Sequence, residues 1–360
     1  MSKKNICYLI LILIISVLSI IFVYNDYFLY DTPILKITSI ENQEVKNDGY
    51  YNQNITGIIQ NGKYKGKEVS VSNLTSVSGV YDEQIHKSSE LFLKLTEDEN
   101  NINRITGIKR DKYIVILLVI FIDLLLIVSG YKGLLTLLSL VVNVIITYFS
   151  IKIFSDNMQK MNLLFLFIIV SIIFIVFSLF ITNGKSKKTL AAVVSSIISL
   201  FASFGLSYLL ISLFGKNISI WSMDFIEAVY DYKNYFFVSI LLCGLGAIMD
   251  VSITISSALN ELIEKNKKIT RQALIKSGKE ISKDIIGTMI NVMLFTCFTE
   301  IIPTIFLAMK NSVTIASALN IYASLDLIIV LSNSLSIAIT IIISLRVCMF
   351  ILKGKERSKK

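Results

Sequence analysis

From Tyr113 to Leu352 the chain is a succession of apolar runs separated by short polar connections. A helix needs about 20 apolar residues to cross a hydrocarbon layer of roughly 30 Å. Inside that layer only helices and closed barrels satisfy their own backbone. These runs are long enough and carry few enough charges, so the spacing predicts helices over 113–130, 133–151, 161–182, 189–214, 234–256, 285–309 and 323–352. Composition agrees, with 54% hydrophobic residues, 17% charged residues and a mean hydropathy of +0.69.

An eighth helix is expected over residues 6–24, following Lys3 and Lys4. Its apolar run exceeds a typical signal core. Tyr24, Tyr27, Phe28 and Tyr30 stand where a cleavage site would need small residues, so an uncleaved anchor with an aromatic interfacial belt is the reading. Residues 25–112 are polar and carry the β-branched runs ILKITSI, NITGIIQ, EVSVSNL, LFLKLTE and INRITGI between Gly, Asn, Asp and Ser clusters. The expected fold class is therefore an all-α polytopic membrane protein of about eight transmembrane helices, with a small β-rich extracytoplasmic domain after the first helix. Its parts are an anchor helix (1–24), the β-rich domain (25–112), a seven-helix membrane domain (113–352) and a basic tail (353–360).

The net charge of +9 is explained by topology rather than by nucleic acid. With the amino terminus inside, the inner segments hold eighteen Lys and Arg, against five in the short outer loops. Both termini are expected in the cytoplasm. Trp221, Tyr230, Tyr232 and Tyr235 are expected at the outer headgroup level, and the basic linker 257–283 as an amphipathic helix on the inner membrane surface.

Ionisable residues at bilayer depth cost about 2.5–3.5 kcal/mol each and demand a partner or a wet cavity. Asp123 and Asn143 both fall near the midplane of adjacent spans, where a hydrogen bond between them competes with a proton or cation site at Asp123. Asp250 and Asp284 fall near the inner face of the sixth and seventh spans. There they would share a cation or a proton, although Asp284 would also serve a helix N-terminus. Asn291 extends that polar path inward, and Glu300 and Pro303 follow it on the same helix. Asp326, Asn333, Ser334 and Ser336 add polarity to the last span, and Arg346 is near enough to the inner face to snorkel. Gly244, Gly246 and Gly287 are expected at close helix contacts.

Enzyme signatures are absent. The chain has no GxxxxGK[ST], HExxH or GxSxG motif, and its single histidine, His86, stands in a polar loop without a ligand cluster. Asp250 follows GLGAIM rather than the GxGD of intramembrane aspartyl proteases. Four scattered cysteines offer neither a metal site nor a disulfide framework, and no cofactor is expected.

The segments GLGAIMDVSITISSAL (244–259), DIIGTMINVMLF (284–295) with Pro303 after it, and GYKGLLTLLSL (130–140) resemble the YibE/F family of bacterial multi-pass membrane proteins. Gly246, Asp250, Ser252, Ser256, Asp284, Gly287, Thr288 and Asn291 occupy the motif positions. The chain departs from the pattern after Asn291, in VMLFTCFTE, and lacks a proline near Thr340. The resemblance implies an integral membrane protein and supplies no chemistry. From the residues, the expected activity is that of a permease for a small solute or ion. The alternative is a non-transporting scaffold or envelope assembly factor working through the outer β domain. Partners on these readings are the lipid bilayer, an unidentified small solute or ion, and a second copy of the chain or an envelope protein.

Overall fold

The computed structural model describes residues 3–44, 50–76, 82–94, 104–157, 161–214 and 232–353. Trp221, Tyr230, the outer-loop Lys160 and Lys216, and the basic tail after Lys353 lie outside the described residues. The chain divides into two compact units, Met1–Gly133 and Leu134–Lys360.

The first unit holds helix α1 (Lys3–Tyr24), a 3₁₀ turn (Asp26–Leu29), five strands and helix α2 (Asp111–Ser129). The strands are β1 (Ile34–Glu44), β2 (Tyr50–Ile59), β3 (Glu68–Ser76), β4 (Glu90–Lys94) and β5 (Arg104–Lys109), paired antiparallel in the order β3-β2-β1-β4-β5. Each of the five runs read from the sequence overlaps one of these strands, with 95–97 and 102–103 lying outside the described residues. Period-two alternation is clearest in β2, where Gln53, Ile55, Gly57 and Ile59 are buried between less buried neighbours. Ile55 and Ile59 join Leu35, Ile37, Val71, Ile85, Leu91 and Leu93 in one apolar core. Gln53 uses its buried amide to exchange hydrogen bonds with the backbone of Ile85, which ties the following loop to the sheet.

The second unit contains α3 (Tyr131–Asp156), α4 (Leu163–Asn183), α5 (Lys187–Phe214), α6 (Tyr232–Lys265), α7 (Arg271–Lys310), the short α8 (Ile315–Ala318) and α9 (Ser324–Lys353), the last entered through a π turn over Leu319–Ala323. Seven of the described helices, α2 through α7 and the α8–α9 segment, are long and apolar enough to cross a membrane, and Ile12–Tyr24 of α1 is a shorter apolar stretch. One core cluster joins α4, α5 and α6 through Phe167, Val170, Ile175, Leu200, Leu241, Leu245 and Ile248. A second joins α6, α7 and α9 through Val251, Ile255, Leu259, Leu274, Ile337 and Ile341.

The linker 257–283 differs from the expected surface helix. Helix α6 continues to Lys265, the helix breaks over 266–270, and α7 starts at Arg271 with the Thr270 hydroxyl accepting from the Ala273 amide. The reason is that Leu259 and Leu274 are buried in a core cluster with Leu345 and Met349 of α9, and Leu262, Ile263 and Ile269 pack partly against it, so most of the apolar face of the stretch is used within the chain. Gly278 makes this approach feasible, because a Cβ there would stand 2.5 Å from Leu345 Cδ2. Pro303 lies inside α7, which runs on through it to Lys310.

Candidate functional site

Asp123 and Asn143 find their hydrogen bonds elsewhere than in each other. The Ser16 hydroxyl of α1 donates to Asp123 Oδ1 at 2.7 Å, while Asn143 exchanges hydrogen bonds with the Ser178 hydroxyl of α4 at 2.8 and 3.2 Å. Serine supplies both partners, where the sequence pointed to the larger polar residues. Asp250 is exposed on α6, Asp284 is exposed on α7, and no hydrogen bond or ion pair joins the two. Gly244 sits where α9 comes closest, since a Cβ there would lie 2.6 Å from Asn333 Oδ1, whereas Gly246 and Gly287 have no atom within 4 Å of such a Cβ.

Asp284, Gly287, Thr288 and Asn291 do come together, by helical spacing alone. They line one open groove of about 710 Å³ along α7, continued by Val292, Phe295, Thr296 and Thr299. The hydroxyls of Thr288, Thr296 and Thr299 each donate to the carbonyl four residues earlier, at 3.0, 2.9 and 2.7 Å. The side chains with unused polar capacity in the groove are therefore the Asp284 carboxylate and the Asn291 amide.

The interior of the second unit holds a polar seam of which sequence reading named Ser252, Ser256, Asn333 and Ser336 separately but missed the α5 serines and the grouping. On α5 Ser195, Ser196, Ser199, Ser203 and Ser207 are buried; on α6 Ser252 and Ser256; on α9 Asn333, Ser336, Thr340 and Ser344. Some are satisfied. Ser195 and Ser203 bond back to the carbonyls of Ala192 and Ser199, Ser252 meets Ser344 at 3.2 Å, and Ser256 donates to the Lys188 carbonyl at 2.6 Å. Ser196, Ser199 and Ser207 have no hydrogen-bond partner among the described residues, while the Asn333 amide meets the Cys243 thiol. At 1.5 Å per residue Ser196 and Ser199 stand about 14 and 18 Å along α5 from Lys187, at the middle of a roughly 30 Å layer. The signal was present in the sequence as a four-residue repeat, Ser195-Ser199-Ser203-Ser207 and Ser336-Thr340-Ser344, which places every hydroxyl on one helix face.

A third constellation lies at the base of the sheet in the first unit. Lys109, with its side chain 1% exposed, bridges Asp26 at 2.7 Å and Asp111 at 2.6 Å. Lys112 meets Glu90 at 2.5 Å, and the hydroxyls of Tyr27 and Tyr30 donate to Glu90 and Asp111. Lys109 also stands over the rings of Tyr27 and Tyr30. Burial pushes the Asp26 carboxyl up against the opposing pull of Lys109. Burial alone would lower the Lys109 ammonium, but its hydrogen bonds to Asp111 and Asp26 prevail and raise it. Burial and the Asp111 hydrogen bond push the Tyr30 phenol up to about 12, and burial with Glu90 raises Tyr27 further. These contacts tie the 3₁₀ turn, β4, β5 and the start of α2 into one charged clasp. His86 lines a separate open groove of about 650 Å³ with Glu83, Arg110 and Tyr113. Among the described residues no group of three or more His, Cys, Asp or Glu is placed to hold a metal ion.

Two family models cover nearly the whole chain: that of the YibE/F-like protein matches residues 117–354, and that of the YibE/F family N-terminal domain matches residues 28–109. No curated protein and no solved structure matches it. The membrane-capable helices and the sheet thus each fall within their own family segment, and the chain belongs to the YibE/F-like family.

Proposed function

We propose that this protein is a permease, not an enzyme, that carries a small polar solute or cation across a bacterial plasma membrane. On this reading α1 is the eighth crossing, the termini are cytoplasmic and the sheet lies outside. The observation that carries the proposal is the seam between α5, α6 and α9, where Ser196 and Ser199 present unsatisfied hydroxyls near bilayer midplane and Ser207 presents another toward the far end of α5. A buried polar group left unpaired costs about 1–3 kcal/mol, so a seam of this kind is sustained by a polar species that hydrogen-bonds to it. Asp250, with Asp284 and Asn291 in the α7 groove, supplies intramembrane carboxylate and amide groups suited to a cation or a proton. A role for Asp123 as a further proton or cation site is retained in this proposal, with Ser16 as its hydrogen-bond donor.

The test is flux into proteoliposomes, with internal pH and Na⁺ followed while a panel of small solutes and metal ions is applied. Flux that disappears in Ser196→Ala/Ser199→Ala and in Asp250→Asn, with both variants folded and abundant, supports the permease. Folded protein with no flux for any member of the panel transfers the assignment to the scaffold reading and directs the search to partners of the sheet.

A further inference from the structure

Among the seven membrane-capable helices α7 is the least apolar, yet only 17% of its most apolar stretch is buried within the chain, against 50% in α5 and 56% in α6. Helices α2 and α3 are as open, but they turn Leu117, Leu124, Val128, Leu140 and Val144 outward, which lipid accepts. The outer half of α7 turns Ile302 and Phe306 outward in the same way, but its inner half presents the groove of Asp284, Thr288, Asn291, Thr296 and Thr299, and every residue lining it comes from α7 itself. The helix cannot rotate to hide this face, because Cys297 and Ile301 on its other side are fixed in a core cluster with Ala323 and Val330. Asp costs about 2.5–3.5 kcal/mol at the centre of a spanning helix and less toward the inner face where Asp284 stands, while Asn291 lies deeper along the helix than Asp284. A lipid-facing groove is therefore disfavoured.

We propose that a second copy of this chain covers the groove, with the two α7 helices packed about a two-fold axis parallel to the membrane normal. Such an axis sets every residue at the depth of its own counterpart, so the face must be complementary to itself. It is. The amide of Asn291 is both donor and acceptor, and it can pair with the Asn291 amide of the second copy. Asp284 shares the face of Asn291 and so stands near its own counterpart, and Lys283 beside it at the inner end of the groove brings two cations to flank the two carboxylates at equal depth. Lys283 is now 3.0 Å from the exposed Glu280 of its own helix and gives up a weak surface pair to make the new one. Gly287, where an added Cβ would meet nothing within 4 Å, admits the close approach of backbones, and exposed Val292 and Phe295 supply apolar contact beyond it. The groove of one chain is then half of a site whose other wall is the second copy. The dimer does not depend on the permease reading, since two chains can pair in a protein that moves nothing.

The test uses the full chain in lipid nanodiscs and in native membranes. Particle mass is measured for the parent protein, and Thr288→Cys, Asn291→Cys and Met289→Cys are oxidised in a background whose native cysteines are replaced by serine. The expected result is a dimeric mass, symmetric cross-links through positions 288 and 291 but none through 289, which faces the core, and a dimer weakened about tenfold by Asn291→Leu through loss of the amide pair. A monomeric mass for the parent protein overturns the proposal, whatever the variants do. So does full modification of Thr288→Cys and Asn291→Cys by a membrane-impermeant thiol reagent with no symmetric cross-link at either position, and so does cross-linking only to a different protein.

Discussion

Replacing Ser196, Ser199 and Ser207 together by alanine separates a seam that serves a polar species from one that is merely imperfect packing. All three hydroxyls are buried and have no protein partner among the described residues. If nothing polar met them, each would burden the fold by about 1–3 kcal/mol, or about 3–9 kcal/mol for the three, against a net stability of about 5–15 kcal/mol for a typical domain. The triple alanine variant would then be stabilised by several kcal/mol, because alanine removes the oxygen and keeps the helix. If the hydroxyls bind a polar species, the substitution removes that binding together with the desolvation cost. The stability change should then stay within about 1 kcal/mol, while flux falls by an order of magnitude or more. The assay is reversible unfolding in mixed micelles or by steric trapping in bicelles, run beside the proteoliposome flux measurement. A gain of about 3 kcal/mol or more with unchanged flux would refute the reasoning.

Other consequences are as direct. Lys109→Met should destabilise the first unit by about 3–5 kcal/mol, because Asp26 and Asp111 are left buried without their shared cation, and limited proteolysis of the sheet would report the loss. The same clasp sets an alkaline limit. The folded-state values of Lys109, Tyr27 and Tyr30 are raised, so their contribution is complete below pH about 10 and is lost as pH rises through the folded values, about 12 for Tyr30; phenolate absorbance and loss of sheet signal should move together there. Gly244→Val should cost about 1–3 kcal/mol by pushing the Asn333 side chain out of its buried position, since even a Cβ meets Asn333 Oδ1 at 2.6 Å, and the thermal midpoint in detergent would register it.

Much of the architecture was legible in the chain. Long apolar runs place helices because a backbone in lipid must satisfy itself, and each of the seven runs after Tyr113 lies on a membrane-capable helix. The β-branched runs before Asp111 mark the strands, since alternation of period two fixes which residues a sheet can bury. The grouping of Asp284, Gly287, Thr288 and Asn291 was equally local, being a matter of 3.6 residues per turn.

Partnership was not local. Asp123 looks toward Asn143 in a one-dimensional reading, but the contact that forms depends on which helices lie side by side, and α1 brings Ser16 to it. The basic linker reads as a surface helix until Leu259 and Leu274 are seen to be covered by α9, a helix distant from both in sequence. Serine carries little weight in a hydropathy profile, so the seam becomes visible only when α5, α6 and α9 are packed together and some of its hydroxyls are left without a mate. The sequence by itself determined which segments are helices or strands, because periodicity and bilayer thickness are properties of a single segment. Only the tertiary structure decided which polar groups are paired, buried or open, because hydrogen bonds at bilayer depth are settled between segments and not within them.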